Sequence, residues 1–297
     1  MKFLPKIVPL WLCLCLLAGC GEHPPTEEAP PEAPETPEAE AYLSCRIVDG
    51  AETGSLLLAE LDAPLDSAHG GLADGRGVYH LSVTEDTPVF LDGQPAGPDA
   101  LRDGMPVEIA FNGEIQESYP AGLGQIQALS AWSPGTEQSP GGSFYDLSGL
   151  YLQVLEDLWA EDNGLNASGV NMVSVDLSQA PGGLLESERQ AIAWRFGELH
   201  SAEPLTASYE ELVDQGYITG EPLEGGGGEF MEWKDGVLFS ITANVDHEGE
   251  VYSLPALFFN ADKWRSSLGA YMFHDCSCLW PELGTWESYQ VESQMIS

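Results

Sequence analysis

The hydrophobic pattern of this chain changes at the segment SPGTEQSPGGS, which spans residues 133–143. Before this segment, short apolar runs alternate with turn residues, and after it apolar residues fall at helical spacing. A connector rich in Pro, Gly and Ser is typical of a domain boundary. Hydrophobic residues make up 43% of the chain, enough to build a core. The sequence therefore predicts two folded domains, 42–132 and 144–297, joined by a linker at 133–143.

Short strands are predicted throughout the first domain, 42–132. Pairs such as Asp49-Gly50, Asp92-Gly93 and Asn112-Gly113 separate the apolar runs, and such residues supply the positive φ that tight hairpins need. Five or six short strands in about ninety residues are typical of a small barrel. We therefore expect an all-β, OB-like barrel.

Helices come first in the second domain, 144–297. One apolar stripe begins at Leu147 and ends near Asn163-Gly164, and further helices are predicted at 185–199 and 208–215. Strand signals return after Glu229, with a hairpin at Lys234-Asp235-Gly236. Helices followed by strands predict an antiparallel sheet with helices packed on it, so the whole chain is expected to be α+β.

The N-terminus carries an export signal. Lys2 and Lys6 precede an apolar run, Ile7 to Leu17, that is too short to span a bilayer and is typical of a signal peptide at 1–20. Residues Leu17-Ala18-Gly19-Cys20 resemble the lipobox of Gram-positive bacterial lipoproteins. The resemblance implies that Cys20 becomes the first mature residue and carries a palmitate-type lipid. The alternative is an ordinary signal peptide that happens to contain Cys20.

A spacer follows the signal peptide at 21–41. It holds seven Glu and six Pro and almost no apolar residue, so it cannot bury enough surface to fold. We expect an extended stalk that holds the folded part away from the membrane. Together with the lipobox, the stalk predicts a protein anchored to the cell membrane on its extracellular side.

Net charge excludes one class of function. The chain has 10 Lys+Arg against 48 Asp+Glu, a formal charge of −38. A surface this negative repels phosphate backbones, so nucleic acid is excluded as a partner.

Two further resemblances cover the folded part. Glu117-Ser118-Tyr119-Pro120-Ala121 resembles the "eSYPA" segment of a small OB-like domain of secreted Gram-positive proteins, for which no chemistry is established. This implies a structural role for Ser118 and Tyr119. Residues 143–297, for example Lys263 to Tyr271, look like an α+β domain of other lipoproteins, and the order of elements is similar to NTF2-like folds.

Aromatic and cationic residues of the second domain form the candidate binding site. The rings of Trp233, Trp264 and Tyr271 could line a pocket, although rings of this kind more often belong to a core. Lys263 and Arg265 flank Trp264 in a chain with few cations, and they either recognise an anionic group or neutralise nearby acids.

The segment His274-Asp275-Cys276-Ser277-Cys278 is the strongest metal-like pattern. Structural zinc needs four ligands with wider cysteine spacing, so His274, Cys276 and Cys278 are weak candidates, and we expect neither metal nor cofactor. Cys45, Cys276 and Cys278 are expected to be reduced and buried, with a disulfide as the alternative.

No catalytic motif is present. The chain lacks G-x-S-x-G, H-E-x-x-H, S-x-x-K and Walker patterns. The sequence therefore favours a binding module at the cell envelope, with an envelope component, a peptide or a small solute as partner. The alternatives are an envelope hydrolase that uses a carboxylate pair in the second domain, and a structural or regulatory envelope subunit.

Overall fold

Two eight-stranded sheets and three α-helices form the part of the chain that the computed structural model describes. The described residues are 39–61, 77–133, 146–166, 169–223, 225, 227–247, 256–280, 286 and 288–297. The predicted signal peptide with Cys20, the stalk up to residue 38 and the linker from residue 134 lie outside them. Glu38–Ser297 is one compact unit. The domain boundaries stay a prediction.

The first sheet is built from the first eight strands. They are β1 (Ala41–Asp49), β2 (Ser55–Glu60), β3 (Val78–Ser82), β4 (Val89–Leu91), β5 (Gln94–Ala96), β6 (Pro106–Phe111), β7 (Ala121–Gly122) and β8 (Ile126–Ala131). Their order is β5-β4-β8-β6-β1-β2-β3-β7, with parallel pairing at β3–β7 and β4–β8. Glycine is required in the β1–β2 turn, because Gly50 has φ +96° and a Cβ there would lie 1.9 Å from the Ser55 carbonyl oxygen.

The predicted OB-like barrel is wrong. Within the described residues, no pairing joins β5 to β7, the two ends of the sheet order, so the sheet stays open. The two end strands have only three and two residues, which leaves few backbone groups to close a barrel. One face of the sheet nevertheless encloses an apolar core that includes Leu43, Ile47, Leu58 and Phe111.

The second sheet contains the other eight strands. They are β9 (Met172–Asp176), β10 (Glu203–Leu205), β11 (Thr219–Pro222), β12 (Glu229–Glu232), β13 (Gly236–Ala243), β14 (Ala256–Ser266), β15 (Gly269–Leu279) and β16 (Tyr289–Ile296). Six of these strands are paired in the order β10-β9-β13-β14-β12-β11. Strand β14 also pairs with β15, and β15 pairs with β16. Strand β9 runs parallel to β10 and β13, so the sheet is mixed and not purely antiparallel as predicted.

Three helices accompany this sheet at the predicted positions, α1 (Leu147–Ala160), α2 (Glu186–Leu199) and α3 (Tyr209–Asp214). The α+β class predicted for the whole chain is nevertheless wrong, because the fold is mostly β, with both sheets large. The sequence pattern underestimated the second sheet, in which β14 and β15 are 11 residues long. None of the described helices has the length and apolar character needed to cross a membrane.

Helices α1 and α2 pack against both sheets. Their buried residues share one apolar cluster with Val48, Leu57 and Val78 of the first sheet and with residues of the second sheet such as Phe239 and Phe259. Polar contacts tie α2 to the first sheet as well. The Arg46 Nε lies 2.8 Å from the Glu188 carboxylate, and the Ser187 hydroxyl donates to the Glu60 carbonyl oxygen at 2.6 Å. Both helices therefore connect the two halves of the fold, and α2 does so through polar contacts as well.

Candidate functional site

Three adjoining cavities lie on the first sheet, two of them against α2, and His80 lines all three. Their volumes are about 320, 420 and 310 Å³. The first and third cavities share Trp194 and Glu198, and the second and third share Gln116 and Gly122. Because the cavities overlap in this way, we describe them together as the His80 groove.

Strand alternation places the sheet residues of the groove. Successive residues of a strand point to opposite faces. Leu56 and Leu81 therefore enter the core of the first sheet, while Ser55 and His80 face α2. His80 pairs with Leu57 on β2, two residues after Ser55, so the Ser55 and His80 side chains are diagonal neighbours on one face.

Helix α2 supplies the opposite wall through Trp194, Arg195 and Glu198. Residues 194 and 198 are one turn apart and lie on the same side of the helix. The Arg195 Nε contacts the Asp49 carboxylate at 2.6 Å, and its NH1 lies 2.8 Å from the Glu198 carboxylate. This guanidinium joins the end of β1 to α2, which fixes the width of the groove at that end.

Carboxylates dominate the first cavity. Asp49, Glu52, Asp103 and Glu198 line it, and Arg195 is the one Lys or Arg among the described residues of the lining. With His80 neutral, these described groups, one positive and four negative, sum to a formal charge of −3. A cleft lined by one sign of charge attracts ions of the opposite sign.

Asp103 differs from the other carboxylates of this cavity in its protonation. Burial raises its pKa to about 6, and repulsion from Asp49, Asp146 and Glu52 adds to the effect, while the hydrogen bond from the Ala51 N–H opposes it. That hydrogen bond is 2.9 Å long. Near neutral pH, Asp103 is therefore a carboxyl that gains or loses a proton easily.

Among the contacts described for the groove, one hydrogen bond joins a hydroxyl to an imidazole, and it links Ser55 to His80. The Ser55 Oγ and the His80 Nε2 are 2.8 Å apart, and both side chains are exposed to the groove. When the imidazole proton is on Nδ1, the hydroxyl donates to Nε2. This arrangement is the one that general-base activation of a serine requires.

The predicted aromatic site lies elsewhere, on the second sheet. Trp233 is buried beneath α3 in a small apolar cluster. Trp264 is half-buried against the same cluster, with its ring 5.0 Å from that of Tyr209. Tyr271 is buried and donates its hydroxyl to the Gln294 side chain at 2.8 Å. These three rings therefore pack in two different apolar clusters.

The two predicted cations bind backbone carbonyls. Lys263 is fully buried, and its ammonium group donates to the carbonyls at the end of α1. Arg265 donates to the carbonyl oxygens of Leu165, at 2.6 Å, and Lys234, at 3.0 Å. Both side chains thus stabilise the segment that follows α1. The role of the five residues as a ligand site stays a prediction.

Cysteines occupy the two cores. Cys45 lies in the core of the first sheet, Cys276 and Cys278 lie in that of the second, and all three are free and buried. Burial raises the pKa of both Cys276 and Cys278 to about 12, so their thiols are protonated. His274 stands just before an irregularity at Asp275, which has φ +52°. Among the described residues, no group of three His, Cys, Asp or Glu side chains is arranged to hold a metal ion.

Sequence reasoning missed the groove, although two of its parts carried a signal. Trp194 and Glu198 lie four residues apart in the predicted helix 185–199, so the sequence alone places an aromatic ring and a carboxylate on one side of this helix. Ser118 and Pro120, from the "eSYPA" segment, line the third cavity, and Tyr119 between them is 52% exposed.

Comparison of the chain with models of known protein families, with curated proteins and with solved structures finds no match. Any functional conclusion therefore depends on the geometry of the His80 groove and on the residues of the chain itself.

Proposed function

We propose that this protein is anchored by a lipid on Cys20 to the extracellular side of the cell membrane and binds a cationic ligand in the His80 groove. The ligand is an amine-bearing envelope component, peptide or small solute. The lipobox residues and the Glu/Pro-rich stalk support the location. The charge and shape of the groove support the binding role.

The observation that carries the binding role is the lining of the first cavity. Four carboxylates face a space of about 320 Å³ that also holds the indole of Trp194. A cation over an indole gains about 0.5–2 kcal/mol, and carboxylates beside it add charge-assisted hydrogen bonds. Arg195 already contacts Asp49 and Glu198, so the excess of negative charge among the described lining residues remains for a ligand.

The walls of the groove are held in place before any ligand binds. The buried Arg46–Glu188 pair and the Arg195–Asp49 pair both join the first sheet to α2. A site that is already formed loses little conformational entropy on binding, which favours affinity. The formal charge of −38 on the whole chain also steers cations toward it.

We expect binding of a cationic peptide to depend on the groove. Isothermal titration of the full chain, purified in detergent, with tetralysine amide should give saturable binding that weakens as salt is raised. Trp194→Ala should weaken it about tenfold, because the cation–π contact is lost. Glu52→Gln, which removes an exposed charge of the cavity, should weaken it about two- to fivefold.

Glu210→Gln is the matched control, since it removes an exposed carboxylate from α3, outside the residues that line the groove. It should bind tetralysine amide like the unaltered chain. Equal affinities for the Glu52→Gln and Glu210→Gln variants, together with an unchanged Trp194→Ala variant, would contradict a binding role for the groove.

Lipid anchoring predicts a change of location. Cys20→Ser should move the protein from the detergent phase to the aqueous phase after fractionation of the producing cells, because the acyl chains are no longer attached. Cys15→Ser, in the apolar run of the signal peptide, should leave the protein in the detergent phase. Recovery of the unaltered chain in the aqueous phase, with Met1 retained, would contradict the proposed location.

A further inference from the structure

The His80 groove contains a hydrogen bond that binding alone does not require. Ser55 and His80 are 25 residues apart in the chain, and antiparallel pairing of β2 with β3 brings Oγ and Nε2 to 2.8 Å. Both groups face the cavity that holds Trp194 and the carboxylates. A serine hydroxyl that lies within 2.6–3.2 Å of an imidazole can be activated as a nucleophile.

We propose that Ser55 is a nucleophile and His80 its general base, and that together they hydrolyse a carboxylic ester bound in the His80 groove. The imidazole becomes positively charged when it takes the serine proton. Asp49, Glu52, Asp103 and Glu198 line the same cavity as His80, and their negative charge favours the imidazolium ion. The carboxylates that attract a cationic ligand thus also favour the proton transfer.

The reaction proceeds in two balanced halves. First, the Ser55 oxygen forms a bond to the ester carbonyl carbon while its proton passes to His80 Nε2. The ester C–O bond then breaks, and the leaving alcohol takes that proton. Next, a water molecule attacks the acyl group on Ser55 and gives a proton to His80. The bond from the acyl carbon to the serine oxygen breaks, the serine oxygen recovers the proton, and a carboxylic acid is released.

The chemical class of the substrate rests on the proposed function. A cation held by the carboxylates and Trp194 lies beside Ser55 within one cavity of about 320 Å³. The preferred substrate is therefore an ester that carries an ammonium group close to its carbonyl, as an aminoacyl ester does. A neutral ester of the same size lacks this contact and is expected to react with a higher KM.

The nucleophile is tested with a fluorophosphonate, a reagent that phosphonylates activated serines. The full chain, purified in detergent, should gain one adduct that peptide mapping assigns to Ser55. Ser55→Ala should gain none, and His80→Gln should react at least about a hundredfold more slowly, because the general base is absent. Ser293→Ala is the matched control, since Ser293 is an exposed serine of β16, outside the residues that line the groove. It should react like the unaltered chain.

Absence of an adduct on the unaltered chain, or an adduct that persists in Ser55→Ala, would overturn the proposal. Folding of each variant is checked by its circular dichroism spectrum, and little change is expected, because Ser55 and His80 are both exposed.

Hydrolysis of two esters separates this proposal from the proposed function. Alanine p-nitrophenyl ester should be cleaved with a lower KM than p-nitrophenyl acetate, and Glu52→Gln should reduce that difference. If both esters are cleaved with equal KM, the nucleophile is supported and the preference for cations is contradicted. A different result is possible, in which the unaltered chain cleaves neither ester faster than the Ser55→Ala variant does, while tetralysine amide still binds. This result would overturn the role of Ser55 as nucleophile and leave the binding role in place.

Discussion

Replacing Lys263 with methionine is expected to lower the free energy of unfolding by about 3 kcal/mol, because it leaves the carbonyl groups at the end of α1 without the ammonium donor. The Lys263 side chain is fully buried, with 0% of its surface exposed. Its ammonium group, with three N–H donors, lies within hydrogen-bond distance of five oxygen atoms, the carbonyls of Leu158 (3.1 Å), Trp159 (3.3 Å), Glu161 and Asp162 (3.3 Å) and the side-chain amide of Asn166 (3.0 Å). Methionine fills a similar volume and cannot donate to any of them.

Urea unfolding of the full chain measures this effect. Lys234→Met is the control, since Lys234 is exposed and lies 3.6 Å from the Glu221 carboxylate, a contact of little value in water. It should change the unfolding free energy by less than about 0.5 kcal/mol. A Lys263→Met variant as stable as this control would contradict the role of Lys263 in holding the end of α1.

The same comparison has a defined pH dependence. Burial lowers the pKa of Lys263 from 10.5 to about 8. Between these two values the unfolded chain still holds the proton that the folded chain has released, so stability rises with pH in this window. The unaltered chain should therefore gain stability relative to Lys263→Met as the pH is raised from about 8 to 10.5.

Replacing Glu188 with alanine is expected to lower the free energy of unfolding by about 3–5 kcal/mol, because the Arg46 guanidinium then stays buried without its carboxylate. The two side chains are only 8% and 7% exposed, and their charged atoms are 2.8 Å apart. Glu188 also accepts the N–H of Leu185 at 2.8 Å at the start of α2. The substitution therefore removes a helix cap together with the contact between α2 and the first sheet.

Two variants identify the cause of this loss in urea unfolding. Glu186→Ala removes an exposed carboxylate that contacts Arg189, one turn further along α2. This variant should lower the free energy of unfolding by less than about 1 kcal/mol. The double variant Arg46→Leu/Glu188→Leu should recover much of the loss, because a buried pair replaced by apolar groups leaves no charge unpaired. A double variant less stable than Glu188→Ala would contradict this explanation.

Local sequence patterns predicted α1 because this helix has its own hydrophobic stripe. Leu150, Val154 and Leu158 recur at four-residue steps, and all three are buried in α1. The predicted end of α2 at residue 199 is confirmed. Leu199 itself is 47% exposed, since the helix ends there.

Long-range pairing was not predictable from local patterns. The parallel contacts of β9 with β10 and β13 join segments about 30 and 60 residues apart along the chain, and no local signal records such a pairing. The open edge of the first sheet likewise depends on how short β5 and β7 are. The turn residues in the sequence predicted the positions at which strands end. Which strands pair depends on tertiary contacts.

The candidate site was missed for the same reason. The sequence predicted a site among the aromatic and cationic residues between Trp233 and Tyr271, in the second sheet. In the structure these residues pack in apolar clusters or donate to backbone carbonyls. The His80 groove collects Asp49, His80, Asp103 and Trp194 from distant parts of the chain. Strand pairing in the first sheet brings Asp49, His80 and Asp103 together, and Trp194 joins them because α2 packs on that sheet. Lipidation of Cys20 stays a prediction from the N-terminal motif.

The position of α2 links occupancy of the groove to the integrity of the C-terminal half. One side of this helix contributes Trp194 and Arg195 to the groove, while Ala191, Ile192 and Phe196 belong to the core that it shares with the second sheet. A molecule that prefers the assembled groove must also disfavour detachment of that sheet. Saturation of the groove with such a molecule should then slow proteolysis of the C-terminal half. Substitutions that destabilise the C-terminal strands should weaken its binding to the groove.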